Sequence, residues 1–174
     1  MKTYNLRHVK REIRVLGLAA KPVKTDGPFH VVGVVYRGKL FLDGVMRTTA
    51  SGPEITGDVV EMIRGSPHHP QIRVILLDSN PIIEGASIDP CGLSSGTSKP
   101  VIALGLKADT LIEDEAVQQF TLKRGETSIL ALSVGLKDRV ALRVLEMASR
   151  GDEMPEALRV AGLVVSALSR ESHT

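Results

Sequence analysis

The first three hydrophobic runs of the chain have patterns that are typical of β-strands. Residues 13–18 alternate weakly and then become apolar, as a strand does where it enters a core. Residues 29–36 and 40–47 follow as two further runs with strong β-forming composition. The tripeptide at 37–39, Arg-Gly-Lys, is suited to a tight turn between them. We therefore predict that the sheet begins with an antiparallel hairpin.

The middle of the chain predicts a parallel pair of strands. Residues 72–77 are apolar apart from Arg73, and residues 100–106 form a second run of this kind, which is typical of strands covered on both faces. Apolar residues at helical spacing between 59 and 63 predict a short helix before the first of these strands, and residues 89–93 predict another between the two. A strand, a crossover and a second strand favour parallel pairing with a right-handed connection.

The last third of the chain is predicted to be mostly helical. One amphipathic face runs from Leu136 to Leu145 and a second from Met154 to Leu168, with Pro155 in a position that suits a first helical turn. The acidic residues 113–115 predict a solvated turn, and residues 127–132 fit either a further strand or a buried connector. Because no stretch is polar or flexible enough to divide the chain, we predict one α/β domain over residues 1–174.

Composition narrows the class of protein more than it defines a function. Hydrophobic residues make up 43% of the chain and charged residues 24%, which is typical of a globular domain. The single cysteine, Cys91, excludes an intrachain disulfide and a cysteine-built zinc site. No apolar run approaches the roughly 18 residues that span a membrane, so we expect a cytoplasmic protein without a membrane partner. Five scattered aromatic residues are too few for a base-stacking platform.

Positive charge is concentrated at the N-terminus although the net charge is only +2. Five basic residues precede or begin the first predicted strand against one acid, Glu12: Lys2, Arg7, Lys10, Arg11 and Arg14. A basic arm or strand edge and a simple solvated terminus both explain this cluster.

Asp78 is the leading candidate for a functional side chain because it ends the buried run 72–77. Ligands of α/β sheets bind beyond the carboxyl ends of strands, and a carboxylate there could hold Mg²⁺. An Asx turn or a helix cap explains the same aspartate equally well. Glu54 and Asp89 are the other acids that could converge with Asp78 on a metal, whereas Asp58 is better placed to cap a helix.

Two further features bear on this candidate site. The first strand, which is where two-metal nucleases usually carry a carboxylate, ends in Ala19-Ala20. His68 and His69 suggest a ligand pair, but adjacent side chains diverge in an extended loop, and surface histidines are the simpler interpretation.

In the order and spacing of its segments, almost the whole chain resembles the endonuclease V superfamily, and within it a largely archaeal family of shorter relatives. The matching segments are residues 14–18 with the hairpin, residues 73–80 followed by Gly85-Ala86-Ser87, residues 100–103, Ser133-Val134-Gly135, and residues 154–159. The resemblance implies a ribonuclease H-like fold, with a mixed sheet that carries helices on both faces. For endonuclease V itself it also implies Mg²⁺-dependent cleavage near deaminated purines.

Carried over by position, the resemblance implies that Asp78 is the metal-binding aspartate of the middle strand and that Glu54 is the loosely aligned glutamate. Ala19 stands where the first metal-binding aspartate is expected, and Leu136 where a histidine is expected. Ser79 replaces the usual glycine after Asp78. Loss of even a group that only supports a metal ligand lowers metal affinity or activity by about 10- to 100-fold, so loss of a ligand itself should lower them further.

Three functional hypotheses follow from the sequence. The first is an endonuclease V-like protein with a degenerate catalytic site, which binds DNA or RNA, or a protein partner, without efficient cleavage. The second is an active Mg²⁺-dependent endonuclease that uses Asp78, Glu54 and Asp89. The third is a non-enzymatic scaffold, such as a homo-oligomer formed through apolar surface on the C-terminal helices.

Overall fold

The structure, a computed structural model, describes residues 2–24, 27–78, 87–106 and 114–171. Its strands and helices, named here in chain order, are β1 (Arg14–Pro22), β2 (Phe29–Arg37), β3 (Phe41–Ala50), α1 (Ile55–Gly65), β4 (Val74–Asp78), α2 (Pro90–Thr97), β5 (Val101–Leu104), β6 (Val117–Arg124), β7 (Thr127–Val134), α3 (Asp138–Ala148) and α4 (Glu156–Glu171). A single 3₁₀ turn, Gly52–Glu54, leads into α1.

One mixed sheet joins the strands in the order β3-β2-β1-β4-β5-β7-β6. The pairs β1–β4 and β4–β5 are parallel, and the other neighbours are antiparallel. The predicted opening hairpin and the predicted parallel pair are therefore confirmed. Most of the connection from β4 to α2, residues 79–86, lies outside the described residues, so the predicted handedness of that crossover stays a prediction.

The structure settles the open choice at residues 127–132 and adds one strand. These residues belong to β7, which pairs with β5 and β6. Strand β6 was not predicted, because it is an edge strand with two glutamines near its start and only half-buried alternate positions. In the predicted acidic turn, a carboxylate oxygen of Asp114 accepts a hydrogen bond from the amide of Ala116 at 2.8 Å; residue 113 lies outside the described residues.

Helices cover both faces of the sheet, as the fold predicted from the resemblance requires. Helices α1 and α2 pack over one face, on a core that includes Leu16, Leu18 and Ile75. Helices α3 and α4 pack over the other face, on a core that includes Val15 and Leu76. This burial on both sides explains why β4 is an unbroken apolar run. None of the described helices is long and apolar enough to cross a bilayer.

Helix α4 lies directly against the backbone of β1. A Cβ atom at Gly17 would come within 2.3 Å of the carbonyl carbon of Ala157, so glycine is required at this close approach. Further along the helix, the hydroxyl of Ser169 donates to the carbonyl oxygen of Pro22 at 3.3 Å. These two contacts, one near each end of the helix, fix α4 along β1.

A buried carboxylate secures the start of α4. Glu156 is 4% exposed and receives two hydrogen bonds from Arg159, at 2.9 and 2.6 Å. The hydrogen bonds from Arg159 lower the pKa of Glu156; burial opposes this effect, and the charges of Arg159 and Arg150 add to it. An ionised carboxylate in the first turn also suits the helix dipole.

Replacing Glu156 by glutamine is expected to lower the free energy of unfolding by about 1–2 kcal/mol at pH 7, because it removes charge-assisted hydrogen bonds. A carboxyl group with a lowered pKa stabilises the fold above its unfolded-state pKa, and this stabilisation is lost as the pH falls through the folded-state pKa. The difference between the two proteins should therefore shrink below about pH 4. Urea unfolding across this pH range measures it. Glu146→Gln, on the exposed pair with Arg143, is the control, and a difference independent of pH would contradict the assignment.

Candidate functional site

Asp78 lies at the carboxyl end of β4, beside the inner part of β1, which continues to Pro22 instead of ending at Ala19-Ala20 as the sequence suggested. The parallel register of β1 and β4 runs to the pair Leu18 and Leu77, so Ala19 and Asp78 are the next residues on neighbouring strands. Ala19 belongs to the core under α4, as does Leu76. Because side chains alternate between the faces of a strand, Asp78 lies on the same face as Leu76 and Ala19. The position beside Asp78 that would hold a second carboxylate is therefore occupied by a methyl group.

A groove of about 290 Å³ opens next to Asp78. Its walls come from the end of β5, the start of β7 and the segment before α4: Leu104, Gly105, Leu106, Ser128, Ile129, Leu130 and Met154. Asp78 is the one charged residue among these lining groups of the described chain. The groove thus combines a carboxylate with mostly apolar walls. The sequence did not predict that Met154 and residues of β7 line it, because no local sequence signal links them to Asp78.

Asp89 caps helix α2. One carboxylate oxygen accepts from the amide of Cys91 at 3.0 Å and the other accepts from the amide of Gly92 at 2.8 Å. The amide of Asp89 in turn donates to the hydroxyl of Thr56 at 3.0 Å, which places the start of α2 beside the start of α1. Both oxygens of Asp89 therefore satisfy helix N–H groups that would otherwise have no partner.

Replacing Asp89 by alanine is expected to cost about 1 kcal/mol of unfolding free energy, whereas asparagine, an equally good cap, should keep most of the stability. Thermal melting with and without Mn²⁺ measures both variants. If Asp89 only caps the helix, the alanine variant should lose the same stability with and without Mn²⁺. A loss that grows when Mn²⁺ is present would instead make Asp89 a metal ligand.

Glu54 is exposed at the end of the 3₁₀ turn, where it occupies the N-cap position of α1 without a capping bond from its side chain. The predicted cap, Asp58, instead lies in the first turn of α1 and accepts from the amide of Ser51 at 3.4 Å. Within residues 2–24, 27–78, 87–106 and 114–171, no group of three or more His, Cys, Asp or Glu side chains could hold a metal ion. Asp78, Glu54 and Asp89 are thus not brought together as one ligand set.

The two histidines diverge, as the sequence predicted. The ring nitrogen Nε2 of His69 lies 2.9 Å from the carbonyl oxygen of Thr97 on α2. The ring of His68 packs against Gly44 of β3, where an added Cβ would be 2.2 Å from the ring. Each histidine thus packs against a different element, so the two do not form a ligand pair.

Leu136 occupies the other position at which a catalytic group was expected. It is buried in the core under α3 and α4, and its carbonyl oxygen accepts from the hydroxyl of Ser133 at 2.8 Å. A leucine side chain offers no donor or acceptor. At this position the chain therefore contributes packing rather than chemistry.

The seven-stranded mixed sheet with helices on both faces is a ribonuclease H-like fold, which solved endonuclease V structures share. The sequence profile of the family described as endonuclease dU matches residues 11–123, more than half of the chain. The chain belongs to this family, which confirms the resemblance to an archaeal, endonuclease V-related group.

Three known proteins illustrate the relationship. A protein from Methanothermobacter thermautotrophicus is 27% identical over 97% of this chain and 94% of its own length. A crystal structure from Archaeoglobus fulgidus superposes with a TM-score of 0.71 at 24% identity, covering 89% of this chain and 97% of that one. Endonuclease V from Ciona intestinalis, solved with DNA containing an inosine, superposes with a TM-score of 0.60 at 12% identity, covering 91% and 86%. At these identities the structural matches support the fold alone.

Proposed function

We propose that this protein binds nucleic acid through an endonuclease V-like fold and that its catalytic site is too reduced for efficient cleavage. The observation that carries the proposal is that Ala19 of β1 lies beside Asp78 of β4, one residue beyond the last parallel pair, Leu18 and Leu77. In this geometry the two positions share one face of the sheet, so a carboxylate at residue 19 would be directly available to a cation held by Asp78. Alanine removes it.

The donor set of the described residues does not fit a Mg²⁺ site. Mg²⁺ is held by oxygen ligands, usually one or two carboxylates together with substrate phosphates. Asp78 supplies a carboxylate, but Ala19 offers no side-chain oxygen, Asp89 uses both of its oxygens on helix α2 and Glu54 belongs to another element. Within the described residues, Ala19, Asp89 and Glu54 therefore do not complete a metal site with Asp78.

An active Mg²⁺-dependent endonuclease is the second candidate. Membership of the endonuclease dU family and the presence of Asp78 at the end of β4 favour it. In this case a strand containing deoxyuridine or inosine would be cleaved in Mg²⁺ or Mn²⁺.

One pair of assays separates the two candidates. Labelled strands carrying deoxyuridine, inosine or neither are first tested for binding by fluorescence anisotropy, and then for cleavage in Mg²⁺ and Mn²⁺. We expect binding without turnover. The matched variants are Asp78→Asn and Glu61→Gln, each of which removes one carboxylate, the second from the exposed side of α1. Cleavage that Asp78→Asn abolishes and Glu61→Gln retains would overturn the proposal in favour of the active enzyme.

A homo-oligomeric scaffold is favoured by exposed apolar surface, but mostly not on the C-terminal helices where the sequence suggested it. The C-terminal helices expose Leu142 and Leu163, whereas the hairpin end and edge strand β3 expose a denser group: Leu40, Phe41, Leu42 and Val45. Sedimentation of the wild type and of Phe41→Ser tests this alternative. A stable oligomer that the substitution dissociates, together with no binding of nucleic acid, would replace the leading proposal.

A further inference from the structure

The N-terminal arm, residues 2–13, is fixed to the domain. The amide of Tyr4 donates to the carbonyl oxygen of Gly135 at 2.8 Å, and the Tyr4 ring packs so closely on Gly135 that an added Cβ would lie 2.5 Å from it. Leu6 and Val9 pack against the core under α3 and α4. The stretch of backbone that carries the basic cluster is thus held against the domain.

A cleft of about 720 Å³ lies between the arm and α3, and the charged residues among its described lining are all basic. Arg7 comes from the arm, and three further cations come from the N-cap and the first two turns of α3: Lys137, Arg139 and Arg143. Two acids lie beside these cations: Glu146 forms an ion pair with Arg143 of the cleft at 2.6 Å, and Asp138 accepts from the amide of Arg139 at 2.6 Å, so the cleft keeps an excess of positive charge through Arg7, Lys137 and Arg139. The amino-terminal end of α3 adds the positive end of its dipole to these charges.

A second cleft, of about 380 Å³, lies on the other side of the arm. Its lining includes His8, Lys10, Arg14 and Arg73 against one acid, Glu12. Lys99 lies close enough to Arg73 that burial and the charge of Arg73 together lower the pKa of Lys99. Arg14 of this lining is paired with Asp43 at 2.9 Å, so the charge that a bound anion would meet here comes from Lys10 and Arg73.

The two clefts meet at the arm, because Leu6 lines both. This surface lies at the end of the sheet where β1 and β4 begin, whereas Asp78 lies where β4 ends. The groove beside Asp78 has no cation among its lining residues of the described chain. The charge that would hold a phosphate backbone is thus found at the edge away from Asp78.

We propose that the arm and its two flanking clefts bind the phosphate backbone of a nucleic-acid strand. The inference rests on the proposed function and specifies where the strand lies. Two clefts joined through Leu6 suit an extended ligand with repeated negative charge better than a single small anion. Because aromatic residues are scarce, recognition is by backbone charge and not by base stacking.

The test compares two triple variants with the same change in charge. Lys137→Gln/Arg139→Gln/Arg143→Gln neutralises the α3 side of the first cleft, and Arg47→Gln/Arg64→Gln/Arg170→Gln neutralises three exposed cations outside both clefts. Each variant takes the formal net charge from +2 to −1, since three positive charges are removed. None of the six positions is buried, so both proteins should fold, which their melting curves verify.

Anisotropy titrations with labelled oligothymidylate and oligouridylate, from low to high salt, give the result. We expect the cleft variant to lose at least about tenfold in affinity. The slope of the logarithm of its binding constant against the logarithm of salt concentration should become shallower by about two, because each phosphate contact to a single strand contributes about 0.7 to that slope. The control should lose less than about threefold. A difference between the two oligonucleotides would identify DNA or RNA as the preferred strand.

Each of the other outcomes overturns the inference in its own way. Equal losses in the two variants would show a general effect of net charge. Unchanged binding by the cleft variant would place the strand elsewhere and leave the proposed function standing. No binding by the wild type would remove the proposed function as well, and displacement of the strand by polyglutamate at matched charge would point to an acidic protein as the ligand.

Discussion

Replacing Ala19 by aspartate is expected to make the protein's stability depend on a divalent cation. Without metal, the new carboxylate lies beside Asp78 at a position that is 8% exposed, and we expect it to cost about 3 kcal/mol of unfolding free energy. With Mn²⁺ at 100 times its dissociation constant, about 2.7 kcal/mol should be regained, because the ion binds only the folded protein. Among the residues that the structure describes, no second carboxylate stands beside Asp78 at this position of β1, and the substitution supplies one.

The neighbouring alanine provides the control for this experiment. Ala20 packs on the opposite core, and its side chain points to the other face of β1. Ala20→Asp should lose stability without any recovery in Mn²⁺. Melting curves of both variants and of Ala19→Asp/Asp78→Asn, with and without Mn²⁺, measure the effect. If Ala19→Asp melts at the same temperature in both buffers, the two side chains do not share a site, and the observation behind the proposed function is wrong.

Replacing Gly17 by alanine is expected to cost about 3 kcal/mol or more of unfolding free energy, because the new methyl group would meet the backbone of α4. The nearest atoms are the carbonyl carbon of Ala157 at 2.3 Å, its oxygen at 2.5 Å and the amide nitrogen of Leu158 at 2.6 Å. Backbone atoms inside a helix cannot rotate aside as a flexible side chain can. The helix must therefore move away from β1, which opens the core.

Gly162→Ala is the matched change on the other partner of this contact. No atom lies within 4 Å of a Cβ at Gly162, so the substitution should raise the free energy of unfolding by about 0.5–1 kcal/mol through helix propensity. Urea unfolding measures both variants. Equal and small effects of the two substitutions would show that α4 does not press on β1 as described.

Much of the fold could be predicted from the sequence, because the pattern of apolar residues along a segment indicates which of its faces is buried. The hairpin of β2 and β3, the unbroken apolar run of β4 and the faces of α3 and α4 all follow from which neighbouring residues are buried. Edge strand β6 was missed for the same reason, since a strand that is only half-buried leaves a weak pattern.

The candidate site could be predicted only in part from the sequence. That Asp78 ends a strand is a local property, and it was predicted. Asp89 was predicted only as a metal ligand, and its hydrogen bonds to the amides of Cys91 and Gly92 became visible only in the tertiary structure. The prediction that Asp58 caps α1 was wrong, because the helix begins at Ile55, earlier than its apolar spacing suggests.

By itself, the sequence determined an α/β domain, its main strands and helices, and an aspartate at the end of a buried strand. Only the tertiary structure decided that Ala19 lies beside Asp78, that Gly17 lies under α4, and that the basic N-terminal arm borders two clefts. The physical reason is that local patterns record which side of a segment is buried. Which distant segments become neighbours depends on strand order and helix packing, which no local pattern contains.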